Sequence, residues 1–249
     1  MVFVICCVSF PVVFIFIAMT PNQNTASDQD SFSGSVELTK QIAELIRLVR
    51  SGEEVNIQLA LLLAKSLGHP PAFRQYLDEL LLLYQLVFKS QRKKLDAAAL
   101  TKFFGLTQLH IANRKLTALP ESIGQLHNLQ RLNCSKNQLQ SLPESIGQLQ
   151  KLKSLYCNGN QLQALPESLA QLHNLQELNC AHNKLKTLPE SIGQLHNLQS
   201  LDCRYNSLQA LPESLAALPK LKRLDARGNP LIHIPPALRK KEGLELLVD

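Results

Sequence analysis

The chain has 249 residues, enough for one extended domain or two compact ones with a sizeable core. Apolar residues make up 45% but aromatic residues only 5%, so Leu and its aliphatic relatives must build the core, and this composition favours a repetitive architecture. Most of the formal net charge of +6 lies in the C-terminal part, where it is spread along the sequence, and it permits an acidic partner without requiring one.

Residues 1–18 are uncharged and almost wholly apolar, and at about 1.5 Å per residue they are long enough to cross a bilayer. Three interpretations stay open. A membrane anchor fits the length, a cleaved secretory signal fits the composition but lacks the usual basic start, and translation from Met19 would exclude the segment from the protein. The sequence therefore predicts a cytoplasmic protein if translation starts at Met19 and a membrane-anchored one otherwise, with membrane association confined to residues 1–18.

Two segments separate this stretch from the rest of the chain. Residues 19–35 are small and polar and include Pro and Gly, which predicts a disordered linker. Residues 36–105 predict a helical cap, because apolar residues recur at helical spacing between Gly and Pro stops. The three predicted helices cover about 36–49, 55–67 and 72–88.

Four successive leucines, residues 80–83, make the third of these helices apolar on more than one face. They are expected to be buried between the other helices and the first repeat. A cap is needed there, since the open end of a repeat array would expose both its apolar core and a strand edge.

A pattern with a period of 23 residues occupies residues 106–249. Six full units and a truncated seventh each open with a leucine. Equivalent positions of successive units form a column, and columns are numbered from this leucine. The opening residues are Leu106, Leu129, Leu152, Leu175, Leu198, Leu221 and Leu244.

Each column has a physical role. The opening stretch of a unit, such as residues 129–134, alternates apolar and polar residues, which is typical of a strand with one buried face. An Asn in the ninth column, such as Asn160, is expected to hydrogen-bond neighbouring loop backbone. Pro143 and Glu144 fit the first positions of a short helical turn. Each unit therefore contributes a parallel strand to one side and a short turn to the other.

These columns resemble those of leucine-rich repeat proteins, and the form Leu-Pro-x-x-Ile/Leu is similar to the 23-residue class found in Ras-scaffold-type and many bacterial repeat proteins. The resemblance covers residues 106–249 and implies an α/β solenoid with a parallel sheet on its concave face and short helical turns on its convex side. The first unit departs from the pattern, with Arg114 in the Asn column and Ile111 in a column that later holds Cys. Terminal repeats are commonly atypical in this way.

Three further columns suggest metal binding, but each has a simpler explanation. The sixth column holds Cys134, Cys157, Cys180 and Cys203. Because Ile111 and Ala226 occupy it in the end units, these thiols are predicted to be small buried apolar groups, and stacked free thiols suit a reducing compartment. The His column is predicted to be a solvated loop column, and the Glu column to serve the N-terminus of its own turn. The sequence predicts no metal ion and no cofactor, since ligands must converge on one point.

Residues of the third, fifth and seventh columns are expected to point out of the concave sheet, with the eighth column at its rim. Tyr and Arg, the types most frequent at interface hot spots, gather towards the C-terminal half. The alternative is that neighbouring Asp and Arg merely neutralise one another as solvated pairs. The predicted protein-binding residues are Tyr156, His182, Asp202, Arg204, Tyr205, Arg223, Asp225 and Arg227.

The sequence contains no phosphate-binding loop, no His-Glu-x-x-His and no Gly-x-Ser-x-Gly, so an enzyme is not predicted. The predicted function is a non-catalytic scaffold, with signalling as its expected setting, that binds a protein or peptide on its concave face. The alternative is an effector or adaptor subunit that regulates a separate enzyme such as a GTPase, kinase or ubiquitin ligase. Nucleic acid is not a predicted partner, because the concave columns show neither aromatic stacking nor a dense basic face.

Overall fold

The structure of the protein is a computed structural model that describes the backbone of residues 28–249 and the side chains of residues 36–249. The interpretations of residues 1–18 and of a start at Met19 fall outside the described residues. The chain divides after Gln41, and the unit that follows, Ile42–Asp249, is compact. Among the described residues, no helix is both long and apolar enough to cross a membrane.

Helix α1 (Asp28–Arg50) begins earlier than its apolar pattern. It includes residues 28–35, which the sequence assigns to the linker. Helix formation is cooperative, so a helix nucleated by apolar packing extends over adjacent polar residues at little further cost. Composition alone does not predict this extension of the helix.

Three more helices precede the sheet: α2 (Glu54–Ser66), α3 (Pro71–Phe88) and α4 (Ala97–Phe104). The sequence predicted α2 and α3 closely but missed α4. The Asp96 carboxylate caps α4 by accepting a hydrogen bond from the Ala99 amide at 2.8 Å. An Asp directly before an Ala/Leu run was the available signal.

The expectation that all four leucines of 80–83 are buried is wrong. Leu80 and Leu83 lie in the core, whereas Leu82 is 65% exposed. Residues three apart share a face of a helix, while the residue between them points elsewhere, so packing covers only one side of α3. Helix α2 also has an exposed apolar face, called the α2 outer face, formed by Val55, Leu59, Leu62 and Leu63.

The repeats form a parallel sheet whose strand order follows the chain. Leu132 lies in register between Leu109 and Leu155, so one repeat length separates paired residues, as the period predicts. The seven strands of the described residues are β1 (Gln108–His110), β2 (Arg131–Asn133), β3 (Ser154–Tyr156), β4 (Glu177–Asn179), β5 (Ser200–Asp202), β6 (Arg223–Asp225) and β7 (Glu245–Leu247).

Short 3₁₀ turns form the opposite wall, and each follows a proline in extended conformation. Strand and turn side chains such as Leu132 and Ile146 are fully buried between the two walls. Burying one such side chain stabilises the fold by about 1.5–3 kcal/mol, and each repeat gains this only against its neighbours. The turns are Glu121–Gln125, Glu144–Gln148, Glu167–Gln171, Glu190–Gln194 and Glu213–Ala217, and helix α5 (Pro236–Arg239) follows them.

The Glu column does more than serve its own turn. The Glu121 carboxylate accepts a hydrogen bond from the backbone amide of Ser145, in the next repeat, at 3.0 Å. Glu144 and Glu190 repeat this contact with the following serine amides at 3.4 and 3.3 Å. Each of these carboxylates therefore satisfies an otherwise unpaired amide at the start of its neighbour's turn and links two repeats.

The Asn column forms the predicted hydrogen-bond ladder. The Asn160 side chain donates to the carbonyls of Cys134 and Cys157 at 3.1 and 2.9 Å, and accepts from the Leu139 amide at 3.1 Å. Arg114, the first-repeat exception, donates instead to the carbonyls of Leu86 and Val87 in α3. The substitution that breaks the column thus ties the first repeat to the helical cap.

Candidate protein-binding site on the concave face

Two successive strands end in the same Asp-Arg fork. The Arg204 guanidinium donates to both carboxylate oxygens of Asp202 at 2.9 Å. One repeat further, Arg227 binds Asp225 in the same way at 2.9 and 2.7 Å. The period of the sequence places the two forks side by side, because β5 and β6 pair in register.

The forks join into a wider network on β5, β6 and β7. Arg204 also approaches Asp225 at 3.5 Å, and Arg223 lies 3.7 Å from Asp225 and 2.6 Å from Glu245. The three arginine and three carboxylate charges cancel formally. The acids and bases therefore do neutralise one another, as the alternative interpretation states.

Asp225 is nevertheless not a solvated partner, because only 3% of its side chain is exposed. Burial alone would raise its pKa, but hydrogen bonds from Arg227 and the charges of Arg204 and Arg227 outweigh burial, so the pKa lies below its ordinary value. The hydrogen bonds that Arg204 donates to Asp202 raise the pKa of Arg204. The network is a fixed ionised array whose guanidinium groups are half-exposed at the surface.

An aromatic stack lies at the rim, in the eighth column. The rings of His182 and Tyr205 are 4.5 Å apart at 19° to one another. Both residues have a left-handed backbone with φ of 53°, and Tyr205 is 52% exposed. The next residue of the column is Gly228, and a Cβ there would overlap the Tyr205 ring. Its missing side chain leaves room for the ring to lie over the following repeat.

Tyr156 makes no hydrogen bond or ring contact with either group among the described residues. It belongs to β3, two strands before β5, which corresponds to about 10 Å at ordinary strand spacing. Its hydroxyl donates a hydrogen bond to Glu177, and burial is the main cause that raises its pKa. The predicted residues therefore separate into the arginine network, the rim stack and the Tyr156–Glu177 pair.

Two acids of the site, Glu177 and Glu245, were missed by sequence reasoning. Glu177 lies in the third column of its unit and pairs in register with Ser154. Glu245 lies in the second column of the truncated seventh unit, but it faces Arg223 because β7 pairs with β6 after 22 residues instead of 23. Glu177 reaches Tyr156 and Glu245 reaches Arg223. Reading residues across adjacent units, instead of along one unit, was the available signal.

The four stacked cysteines are fully buried free thiols. The Cys157 thiol donates weakly to the Asn179 carbonyl at 3.4 Å. Burial raises the pKa of Cys134 and of Cys180 to about 12, and raises that of the other two well above the ordinary value. They are protonated at neutral pH and behave as the buried apolar groups predicted. Across residues 36–249, no cluster of three or more His, Cys, Asp or Glu is placed to hold a metal ion.

The fold and its columns define a class of protein, the repeat solenoid. Within the described residues, its strands form one parallel sheet, and the exposed side chains of that sheet make one continuous surface. A family model described as a leucine-rich repeat region matches residues 75–187, and a second, described as a leucine rich repeat, matches residues 173–231. The chain is a leucine-rich repeat protein.

Solved structures of this family resemble the chain. A leucine-rich repeat protein of Leptospira interrogans is 37% identical over 57% of this chain and 42% of its own, with a TM-score of 0.48. The plant peptide hormone receptor RGFR1, in complex with RGF2, is 28% identical over 59% of this chain and 25% of its own, with a TM-score of 0.53. The functional domain of InlJ from Listeria monocytogenes, which includes a cysteine ladder, is 28% identical over 53% and 27%, with a TM-score of 0.47.

The chain spans less than half the length of each of these structures. A search of the curated proteins finds no significant match. Proteins of the leucine-rich repeat family are generally non-catalytic interaction scaffolds that bind proteins or peptides.

Proposed function

We propose that this protein is a non-catalytic recognition module that binds a protein or peptide through the C-terminal half of its concave face. The observation that carries the proposal is the stack of His182 and Tyr205 at the rim. It stands beside the half-exposed guanidinium groups of Arg204 and Arg227.

The backbone under the stack is left-handed, as it is throughout the eighth column. A left-handed conformation costs an ordinary residue about 1–2 kcal/mol and suits Gly, which occupies the same column at Gly159 and Gly228. Two large rings in this conformation are therefore retained against a local energetic preference. The same conformation occurs at Asn113 and Lys136, so it belongs to the loop of every full repeat. His182 and Tyr205 differ from these residues in that their exposed rings stack on one another.

The arginine network supplies the complementary polar part of the surface. Each guanidinium is held in a planar fork by a carboxylate, so little side-chain entropy remains to be lost on binding. Exposed aromatic area next to ordered Arg donors is the composition of a binding hot spot. The plant receptor, similar in fold, was solved with a peptide hormone, which supports a peptide or protein as the partner.

The experiment compares Tyr205→Gly with Lys136→Gly. Both positions lie in the eighth column, both are exposed, and both have φ of 53°. In each variant Gly relieves the left-handed strain, and the loss of stacking at Tyr205 is worth only about 0.5–1.5 kcal/mol, so both proteins should stay within about 1 kcal/mol of the wild type. The wild-type chain is used to capture partners, which are identified by mass spectrometry and then titrated as purified proteins.

A partner bound by the wild type should bind Tyr205→Gly at least about tenfold more weakly, as expected for a central aromatic contact, and Lys136→Gly with unchanged affinity. A second variant, Asp202→Asn with Arg204→Gln, removes one fork without leaving an unpaired charge and should also weaken binding. Equal binding by all variants would show that the partner uses another surface, and the proposed site would be abandoned.

A further inference from the structure

The C-terminal end of the array carries a groove of about 400 Å³. It is lined by residues of the loop after β6, of helix α5 and of the segment directly after β7. Its apolar lining includes Leu231, Ile232, Ile234 and Val248, and its polar lining includes Arg239 and Asp249. None of these residues belongs to the concave binding surface described above.

The groove exists because core columns are incompletely covered at this end. Leu231 occupies the same column as Leu208, which is fully buried by the repeat that follows it. Leu231 is only half-buried, and so is Leu246, although Leu224 beside it in register is fully buried. Among the described strands, β7 is also the last of the sheet and leaves one backbone edge unpaired. Exposed apolar columns and an open strand edge together favour association.

Ile232 makes the rim of the groove apolar in a way that the other repeats do not. It is 86% exposed, the largest value among the exposed large apolar side chains of the described residues. The corresponding residues of the preceding repeats are Thr117, Gln140, Gln163, Lys186 and Gln209, all polar. An apolar side chain has therefore replaced a polar one only beside the groove.

The charges of the groove are of opposite sign and are not paired with each other. Arg239 is exposed and takes part in none of the ion pairs found among the described residues. One oxygen of Asp249 accepts a hydrogen bond from the Gly228 amide, and the other oxygen accepts none in the described structure. The charge of Asp249 also acts on Arg227, without an ion pair between them among the described residues. One surface thus carries a protruding apolar side chain, an apolar groove, a cation and an anion. Such a surface is complementary to itself.

We propose that a second copy of this chain binds here and that the two chains form a two-fold symmetric dimer through their C-terminal ends. In a two-fold interface each contact occurs twice, with the two residues exchanged. Ile232 of each chain enters the groove of the other, and Arg239 of each chain pairs with the partner's Asp249. Because protrusion and groove lie on the same face, the assembly closes at two chains and does not extend into a filament.

The test measures the mass of the full chain by sedimentation over a range of concentrations, without any other ligand. The wild type should pass from the mass of one chain to that of two. Ile232→Asp places an unpaired charge in an apolar groove, and Arg239→Glu opposes two carboxylates, so each should raise the dimer dissociation constant at least about tenfold. Lys240→Glu, an adjacent exposed change of the same charge outside the groove lining, is the matched control and should leave the constant unchanged.

Charge exchange gives the sharper test. Asp249→Arg alone should weaken the dimer like Arg239→Glu, and the two changes together should restore dimerisation, since each restores the pair with reversed signs. Asp249→Arg also removes the hydrogen bond to Gly228, whereas Ile232→Asp leaves that bond intact. A wild-type chain that stays monomeric up to its solubility limit overturns the proposal. So does a dimer that tolerates the groove variants but is lost in Leu62→Glu, because its interface would then be the α2 outer face.

Discussion

Replacement of Asn160 by Ala tests how strongly adjacent repeats are coupled through the Asn ladder. The Asn160 side chain is buried and makes three hydrogen bonds, two as donor and one as acceptor. Both carbonyls that it serves keep a second donor, since Asn137 also reaches Cys134 and Asn183 also reaches Cys157. The Leu139 amide has no such alternative among the hydrogen bonds of the structure.

The expected loss follows from this difference. An orphaned buried amide costs about 1–3 kcal/mol, and the two carbonyls that keep a partner add at most about 1 kcal/mol together. Asn160→Ala should therefore lower the free energy of unfolding by about 2–3 kcal/mol, a large part of the stability of an ordinary domain. The sum of three full hydrogen bonds would overestimate it.

Urea unfolding followed by far-ultraviolet circular dichroism measures this change. The matched control is Asn158→Ala, the same substitution two residues earlier, at a half-exposed position without a side-chain hydrogen bond in the structure. This control should lower the free energy of unfolding by less than about 0.5 kcal/mol. The dependence on urea should keep its slope if the array still unfolds as one unit. Equal losses in the two variants would refute the coupling argument, and a changed slope would indicate that the array separates into parts.

Three further predictions use the same structure. The four stacked cysteines should resist iodoacetamide in the native protein at pH 8 and react in urea, because burial raises their pKa values; native labelling would contradict their burial. Gly228→Ala should destabilise by more than Gly243→Ala, measured by thermal unfolding, since both have positive φ but only Gly228 lies against the Tyr205 ring. Burial lowers the pKa of His127, so this imidazole binds a proton more tightly in the unfolded chain than in the folded one. The free energy of unfolding should therefore be highest above about pH 6.5, with respect to this group, and fall as the pH drops. His127→Gln should remove this part of the pH dependence of stability, and an unchanged pH dependence would exclude His127 as its origin.

The repeat architecture could be predicted because each of its elements has a local sequence signal that recurs in every unit. A strand with one buried face, a loop that requires a side-chain amide and a turn that begins with Pro each have a local sequence signal. Their common spacing of 23 residues predicts the register as well, which places Leu132 beside Leu155. The inward position of the cysteines follows from the same alternation.

The helical part was predicted less completely, since its limits depend on packing partners that no period reveals. Helix α4 is short, and its cap at Asp96 is a weak signal by itself. The exposure of Leu82 depends on which side of α3 receives the first repeat. An apolar residue at a helical position therefore indicates a helix but does not say whether that side chain is covered.

For the candidate site, the sequence predicted which residues share the concave face but not how they interact. It placed Asp202, Arg204, Asp225 and Arg227 on one surface and offered mutual neutralisation as the alternative to binding. Only the structure shows that Asp225 is buried under its arginines and that Glu245 extends the network. It also separates Tyr156 from the stack of His182 and Tyr205.

The sequence by itself determined the solenoid, its register from β1 to β6 and the side chains of each column, because these depend on the period of two along a strand and on one repeat length between strands. The register of β7, which pairs after 22 residues, was decided by the tertiary structure. The tertiary structure decided which charges are buried, which rings stack and where the last repeat leaves a groove. These properties depend on side-chain packing between repeats and at the ends of the array, where a residue such as Leu231 meets surroundings that differ from those of Leu208 in the same column.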